Sequence, residues 1–312
     1  MELISTPQHI PTFIHIPKNA GTYVLSWFHL FHKLYCLKLQ KDKETNWSED
    51  NIRRFIVRLN NDKELTCCVY VNNYEISTSE INSHTNSIQL EDFLNSLNDK
   101  SLEVFSISIN PIGTGMKESF EAVDLICKAI NQNPCYFTIL REPFSRAKSL
   151  FEYLNKENSK HESSHNCFKL KNFHEYIASY YIEDSWIIRH ILSLSQNSLI
   201  EPSDFILNKN HFLRCCEVLD RVRVFDVSCV GQAINQILGI CYGLQQCDAK
   251  SHFGLNLNSY INYNHTDYDH DYKFTDLNAS SQLSFLSRTY WDRKIYEHFV
   301  MRNKFPGFSI SE

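Results

Sequence analysis

Glycine and proline are scarce, eight of each in 312 residues, which excludes collagen-like or linker-rich organisation. The eleven cysteines contain no C-x-x-C pair, so the usual zinc and dithiol motifs are absent. Their odd total and two adjacent doublets, Cys67 with Cys68 and Cys215 with Cys216, do not suit a disulfide ladder. They read as free thiols of a reducing compartment, and a cytoplasmic protein is expected. Basic charge is also short. The 31 Lys and Arg against 36 Asp and Glu leave a net charge of −5, so no broad field favours nucleic acid or anionic membrane. No window reaches the roughly 18 apolar residues of a membrane span. The stretch Met1 to Pro11 lacks the basic and apolar regions of a signal peptide. What the chain does have is aromatic and aliphatic bulk, 43% hydrophobic with 21 Phe and 16 Tyr, enough for a core that needs neither metal nor disulfide.

The hydrophobic pattern alternates between two periods. Thr12 to Ile16 predicts a strand, followed by a tight loop and a helix through Val24, Trp27, Phe28, Phe31 and Leu34. A helix is predicted from an N-cap at Ser48, with Ile52, Phe55, Ile56 and Leu59 on one face. Strands follow at Leu65 to Val71, Leu102 to Ile109 and Cys135 to Leu140. Helices are predicted over Leu90 to Leu97, through Phe120, Val123, Ile126 and Ile130, and from Pro143 to about Leu154. Asn155 to Asn166 reads as a loop. Beyond it the pattern is mostly helical, at Phe173 to Tyr181, Trp186 to Leu194, Val230 to Cys241 and Ser281 to Met301, with a strand at Val222 to Val227. Asn256 to Lys273 reads as an ordered or ligand-covering loop. The expectation is an α/β protein: one domain over residues 1–312, a central parallel sheet flanked by helices as a three-layer sandwich, and a mostly helical C-terminal part.

Two segments carry phosphate chemistry. In Phe13 to Thr22, F-I-H-I-P-K-N-A-G-T, a lysine and a small-residue turn separate a strand from a helix start. Such a loop aims backbone N–H groups and the positive end of the helix dipole at an anion. It is not a Walker A sequence, because its lysine precedes the glycine. In Leu140 to Tyr153, L-R-E-P-F-S-R-A-K-S-L-F-E-Y, Arg141 leaves a strand end and Ser149 lies two turns into the next helix. Arginine offers phosphate a planar fork, and serine adds a hydroxyl donor. Two such sites over neighbouring parallel strands suit a ligand with two separated phosphates.

P-K-N-A-G-T after a strand resembles the 5′-phosphosulfate loop of the sulfotransferases that use PAPS (3′-phosphoadenosine 5′-phosphosulfate), and R-E-P-x-x-R-x-x-S resembles their 3′-phosphate motif. H-I-P-K-x-A-G-T is closest to the Golgi-type carbohydrate sulfotransferases, heparan- and chondroitin-like, and their bacterial relatives. Weaker likeness extends over Trp186 to Ser193, Arg221 to Val230 and Asp292 to Phe299. The resemblance implies a P-loop-like fold, sulfuryl transfer from PAPS with PAP as product, and no metal. Lys18 would stabilise charge on the leaving phosphate. Asn19, Ala20, Gly21 and Thr22 would hold the 5′-phosphate, and Arg141 and Ser149 the 3′-phosphate. Arg146 would brace the motif, and Arg189 would lie near the acceptor.

Transfer to a hydroxyl also calls for a general base. Heparan-type relatives carry a histidine just past the strand before the 3′-phosphate motif; the stretch Ser106 to Gly115 has none. His84 and Glu118 are the nearest substitutes, and loss of the base is the third possibility. Lys250 and Lys273 flank the segment that would close over the ligand. Asp267, Asp269 and Asp271 alternate like a calcium loop, but Tyr272 and Asn278 stand where Gly and Glu are needed. His265 and His270 lack a helical metal spacing, so no metal site is expected. The acceptor is expected to be an uncharged or weakly charged glycan or glycolipid, or a small hydroxylated metabolite, given the acidic chain. Two alternatives stand beside the enzyme reading: a silent PAP(S)- or glycan-binding protein, and a P-loop-like kinase.

Overall fold

The computed structural model describes residues 8–28, 31–32, 51–60, 63–71, 86–110, 116–160, 172–178, 185–194, 206–242 and 272–301. Runs rich in β-branched and aromatic residues form seven strands: β1 (His9–Ile14), β2 (Ile52–Asn60), β3 (Lys63–Val71), β4 (Ser87–Gln89), β5 (Leu102–Ile109), β6 (Asn133–Leu140) and β7 (Arg223–Asp226). They make one sheet in the order β4-β2-β3-β5-β1-β6-β7. β5, β1, β6 and β7 run parallel, whereas β3 is antiparallel to both of its neighbours. The sheet is therefore mostly parallel rather than wholly so.

The pleat sends alternate residues to opposite faces. Along β6, Tyr136 and Leu140 enter one apolar cluster, while Cys135, Phe137 and Ile139 enter another. The first is closed by α2 (Leu90–Asn98) through Phe93 and Leu97, and by α3 (Met116–Ala129) through Val123 and Ile126. The second is closed by Trp27 and Phe28 of α1 (residues 21–28) and by Ile234, Ile237 and Leu238 of α8 (Val230–Tyr242). Helices thus cover both faces of the α/β sheet. A bulge on β5 places Phe105 between Val104 and Ser106, opposite the single step from Cys68 to Val69, and this lets Val104 and Ile107 share a face.

A third cluster is built from Ala147, Leu150 and Phe151 of α4 (Pro143–Lys160), Phe173, Tyr176 and Ile177 of α5 (Phe173–Ala178), and Phe285 of α9 (Ala279–Arg288). The remaining helices are α6 (Trp186–Ile191), α7 (Lys209–Leu219) and α10 (Tyr290–Tyr296).

The helix predicted over Ile52 to Leu59 is strand β2. Its i, i+3, i+4, i+7 apolar spacing fits a helix, but Ile52, Ile56 and Val57 are β-branched and the segment pairs with β3 along nearly its whole length. Arg58 and Glu64, 3.5 Å apart, face each other across that hairpin. α4 continues to Lys160, through the start of the predicted loop. The single helix predicted over Ser281 to Met301 is broken at Thr289. There Ser185, in a left-handed conformation (φ 49°), accepts from the Trp291 N–H, and both its own N–H and its hydroxyl donate to the Arg288 carbonyl. Those bonds occupy groups that a continuous helix would need. α7 has no counterpart among the predicted elements, although Phe212, Cys215, Cys216 and Leu219 share a helical spacing. The covering loop predicted over Asn256 to Lys273 falls almost wholly on residues 243–271, which lie outside the described residues.

Candidate functional site

β1 and β6 are adjacent and parallel, with Ile14 opposite Thr138, so the two phosphate-type segments leave the same edge of the sheet side by side. The Thr138 hydroxyl donates to the Ile14 carbonyl at 2.8 Å, and the His15 N–H donates to the Ile109 carbonyl at 2.8 Å. The end of β1 is thereby fixed to both neighbours before the chain turns.

In the turn, Lys18 (φ 66°) and Ala20 (φ 64°) both adopt the left-handed conformation. For residues with a Cβ this costs about 1–2 kcal/mol each, and the alternation of handedness points successive amides into one concavity. The Asn19 N–H donates to the Ile16 carbonyl at 3.2 Å and so closes the turn, while the Val24 N–H donates to the Ala20 carbonyl, the first bond of α1, so the amides of Ala20 to Tyr23 have no intrahelical acceptor. Gly21 is required by proximity: a Cβ there would lie 2.0 Å from the His15 ring. Asn19 is wholly buried, and neither its Oδ1 nor its Nδ2 has a hydrogen-bond partner among the described residues. Leaving such an amide unsatisfied costs roughly 1–3 kcal/mol per group. Backbone strain and an orphaned amide in one five-residue turn are features that a bound polar ligand would offset.

The second segment is built differently. Glu142 caps α4: its carbonyl accepts from the Arg146 N–H, and its two carboxylate oxygens accept from the amides of Phe144 (3.0 Å) and Ser145 (2.8 Å). The first-turn amides of α4 are thus engaged by the chain's own carboxylate. An anion here would be held by side chains, for which Arg141 and Ser149 are both partly exposed. The two segments meet directly, because the Lys18 ammonium lies 3.5 Å from the centre of the Tyr153 ring, on α4.

Behind the turn is a stack of buried polar groups. The Arg146 guanidinium lies 3.7 Å from the Trp186 ring, and Trp186 stacks on His190 at 4.4 Å. His190 Nε2 is 3.4 Å from the His15 carbonyl. Burial pushes the pKa of His190 down to about 3, so the ring is neutral; facing a carbonyl, Nε2 carries the proton and donates. Burial also lowers His15. Asp292, on α10, accepts from the Ile187 and Ile188 amides at 2.9 and 3.1 Å at the start of α6. Burial raises its pKa to about 6, against the opposing pull of those amides and of Arg146 and Arg189. Arg189 is 3% exposed and contributes to this field, so as placed it is not presented to an acceptor at the surface.

Glu118 lies exposed on the first turn of α3, which follows the carboxyl end of β5. His84, Lys250, the aspartates 267, 269 and 271, and His265 and His270 lie outside the described residues. Lys273 starts a short 3-10 turn at Phe274–Asp276. Among the described residues no group of three or more His, Cys, Asp or Glu is arranged to hold a metal, and no helix is long and apolar enough to cross a membrane.

Sequence reasoning missed several parts of this edge: the burial of Asn19, the His15–Gly21 contact, Tyr153, the Trp186–His190 stack, and Asp226. Asp226 ends β7 beside Leu140 and accepts from the Tyr296 hydroxyl and from the Ser228 amide and hydroxyl. That carboxylate makes the β7 flank unfavourable for an anion and leaves the β1–β6 boundary as the favourable place. Tyr153, Trp186, His190 and Asp226 lie in segments that the sequence singled out, but no local signal marked the contacts they make. No protein-family model, curated protein or solved structure matches this chain.

Proposed function

We propose that the chain is a sulfotransferase with a P-loop-like fold that moves a sulfuryl group from PAPS to a hydroxyl of a carbohydrate acceptor. The observation that carries this reading is the pairing of two anion-type segments on neighbouring parallel strands, with Lys18 of one resting on Tyr153 of the other. The residues present fit a nucleotide with two separated phosphates: an amide-rich turn with an orphaned buried Asn19 on one strand, and an arginine on the next.

PAPS, when bound, supplies an activated sulfuryl group whose leaving group is a phosphate. In this reading the amides of Ala20 and Gly21 and the Thr22 hydroxyl hold the 5′-phosphate, with the Asn19 N–H closing the turn on the Ile16 carbonyl. Arg141 and Ser149 hold the 3′-phosphate. The Lys18 ammonium offsets negative charge on the departing phosphate oxygen, which is electrostatic catalysis. Glu118, on the same edge, accepts the acceptor's hydroxyl proton. The neutral His190 holds the His15 carbonyl, and so the turn, in place.

A melting experiment with PAP, ATP and AMP tests the reading. PAP is expected to stabilise the chain selectively, and Arg141→Ala and Ser149→Ala are each expected to reduce that stabilisation. Transfer of labelled sulfate from PAPS to a panel of glycans, glycolipids and phenols, insensitive to EDTA, completes the test. Stabilisation by ATP instead, with an EDTA-sensitive phosphoryl transfer, would replace it with a kinase. Stabilisation by PAP without transfer to any acceptor, unchanged in Lys18→Ala, would leave a binding protein.

A further inference from the structure

The opposite edge of the sheet holds a cleft of about 450 Å³ that the phosphosulfate reading does not use. α7 ends at Leu219, the Val222 N–H closes the following turn on the Leu219 carbonyl at 2.9 Å, and the chain enters β7 at Arg223. That turn leaves Arg221 and Arg223 exposed on either side of the buried Val222, and both line the cleft. Asp220 is the one carboxylate among the lining residues. Neither arginine makes an ion pair with it or with any other described residue.

Much of the remaining lining is apolar: Pro134 and the Tyr136 ring of β6 and Ile240 of α8 stand with Val222, and Pro134 has no amide N–H to offer. His9, which begins β1, adds a ring N–H donor. Arg221 is already oriented. Its guanidinium lies 4.7 Å from the centre of the Phe120 ring and 5.9 Å from that of Tyr136, and a guanidinium stacked by its face keeps its in-plane N–H groups for an oxyanion.

From this pairing of two arginines that make no ion pair with an apolar cleft, we infer that the amino edge of the sheet binds a small phosphomonoester carrying a flat apolar group. The cleft falls within the range of roughly 300–1,000 Å³ that small-molecule sites occupy. Its composition matches theirs, with apolar walls to take up a ring and a few polar groups to fix one end. A helix ends rather than starts at this cleft, so no helix dipole assists an anion and the arginine forks must hold it. A phosphomonoester dianion presents charged oxygens to both forks, whereas a carboxylate or a sulfate ester carries a single charge. On a chain of net charge −5, such a ligand is drawn only to places where cations are grouped.

Calorimetric titration of the full chain with phenyl phosphate, at about pH 8 where the ester is a dianion, tests the inference. Saturable binding is expected. Phenyl sulfate, which lacks the second charge, and inorganic phosphate, which lacks the ring, are each expected to bind at least about tenfold more weakly. Arg223→Ala, a change at an exposed position, is expected to weaken phenyl phosphate about tenfold or more, with a melting temperature equal to that of the parent chain. Arg223→Lys keeps the charge but loses the fork, and a smaller weakening is expected. No saturable binding of phenyl phosphate, or equal affinity for phenyl sulfate, would overturn the inference. Full affinity in Arg223→Ala, or an affinity that falls in Arg141→Ala instead, would place the ligand elsewhere and overturn it as well.

Discussion

The two ends of strands β1, β6 and β7 are built from opposite materials. At their carboxyl ends, β1 feeds a strained turn in which Lys18 and Ala20 are left-handed and the buried Asn19 side chain has no partner among the described residues, and β6 feeds a helix start beside Arg141. At their amino ends the chain enters β6 through the left-handed Asn131 (φ 54°), and Cys135, Arg221 and Arg223 line a cleft. A parallel sheet concentrates helix starts at one edge, and with them unsatisfied amides; the other edge receives helix ends and gains nothing from the dipole for an anion. In the proposed reading, the polarity of the sheet places the anion site at the edge where the helices start.

Substitutions at one edge should therefore leave the other unaffected, and the largest effect belongs to Lys18. In Lys18→Ala, sulfate transfer from PAPS is expected to fall by roughly 10²- to 10³-fold, as for loss of one preorganised charge-stabilising donor, while PAP still raises the melting temperature. Arg141→Ala is expected to weaken PAP by about 1.5–3 kcal/mol, the range for a hydrogen bond to a charged group, read by calorimetric titration. A full-strength PAP complex in that variant would break the assignment of β6 to the nucleotide.

Gly21→Ala places a methyl group against the His15 ring and is expected to cost about 1–3 kcal/mol of stability in urea unfolding. Combining it with His15→Ala is expected to recover most of that loss, since the clash is with the imidazole alone. An additive double variant would show that the turn, not the ring, resists the methyl.

The pH dependence of stability should separate the two buried titrating groups. Asp292 has a folded pKa raised to about 6 from 3.8, so the folded state holds more protons and this group lowers stability as pH rises across that window. His190 has a folded pKa lowered to about 3 from 6.5, so the unfolded state holds more protons and stability rises across that wider window. Between about pH 4 and 6 the two slopes, each about 1.4 kcal/mol per pH unit at most, oppose one another. His190→Gln is expected to reveal a fall in stability with rising pH, and Asp292→Asn a rise; matching slopes in both variants would contradict the assignment. The smallest effect is expected of Cys135→Ser, in which PAP stabilisation should equal that of the parent chain.

Much of the fold was legible because the decisive segments were long and of one period. Leu102 to Ile109 is strand at both of its predicted limits, and Cys135 to Leu140 falls within β6. β2 misleads because its apolar spacing satisfies a helix while its partner strand, outside the reach of any local signal, decides the outcome. α7 escapes notice because two of its buried positions are cysteines, which read as thiols rather than as core, and because its cap is Asn208 with His211 rather than a serine and a glutamate. At the site, the turn and the arginine were visible in residue order. The stack of Arg146, Trp186 and His190 was not, since it joins α4, α6 and the end of β1 only through tertiary packing.

The reversed strand β3 has a consequence for how this protein would change over time. Because β2 runs with β5, the β2–β3 hairpin ends on the rim where His15 begins its turn, and Leu65, Ile109 and Ile14 stand in one row there. The connection at residues 61–62 can therefore lengthen or shorten without moving the registers that hold that row. Insertion at that hairpin would reshape the rim beside the proposed site, at a distance in sequence from every residue proposed to hold the nucleotide.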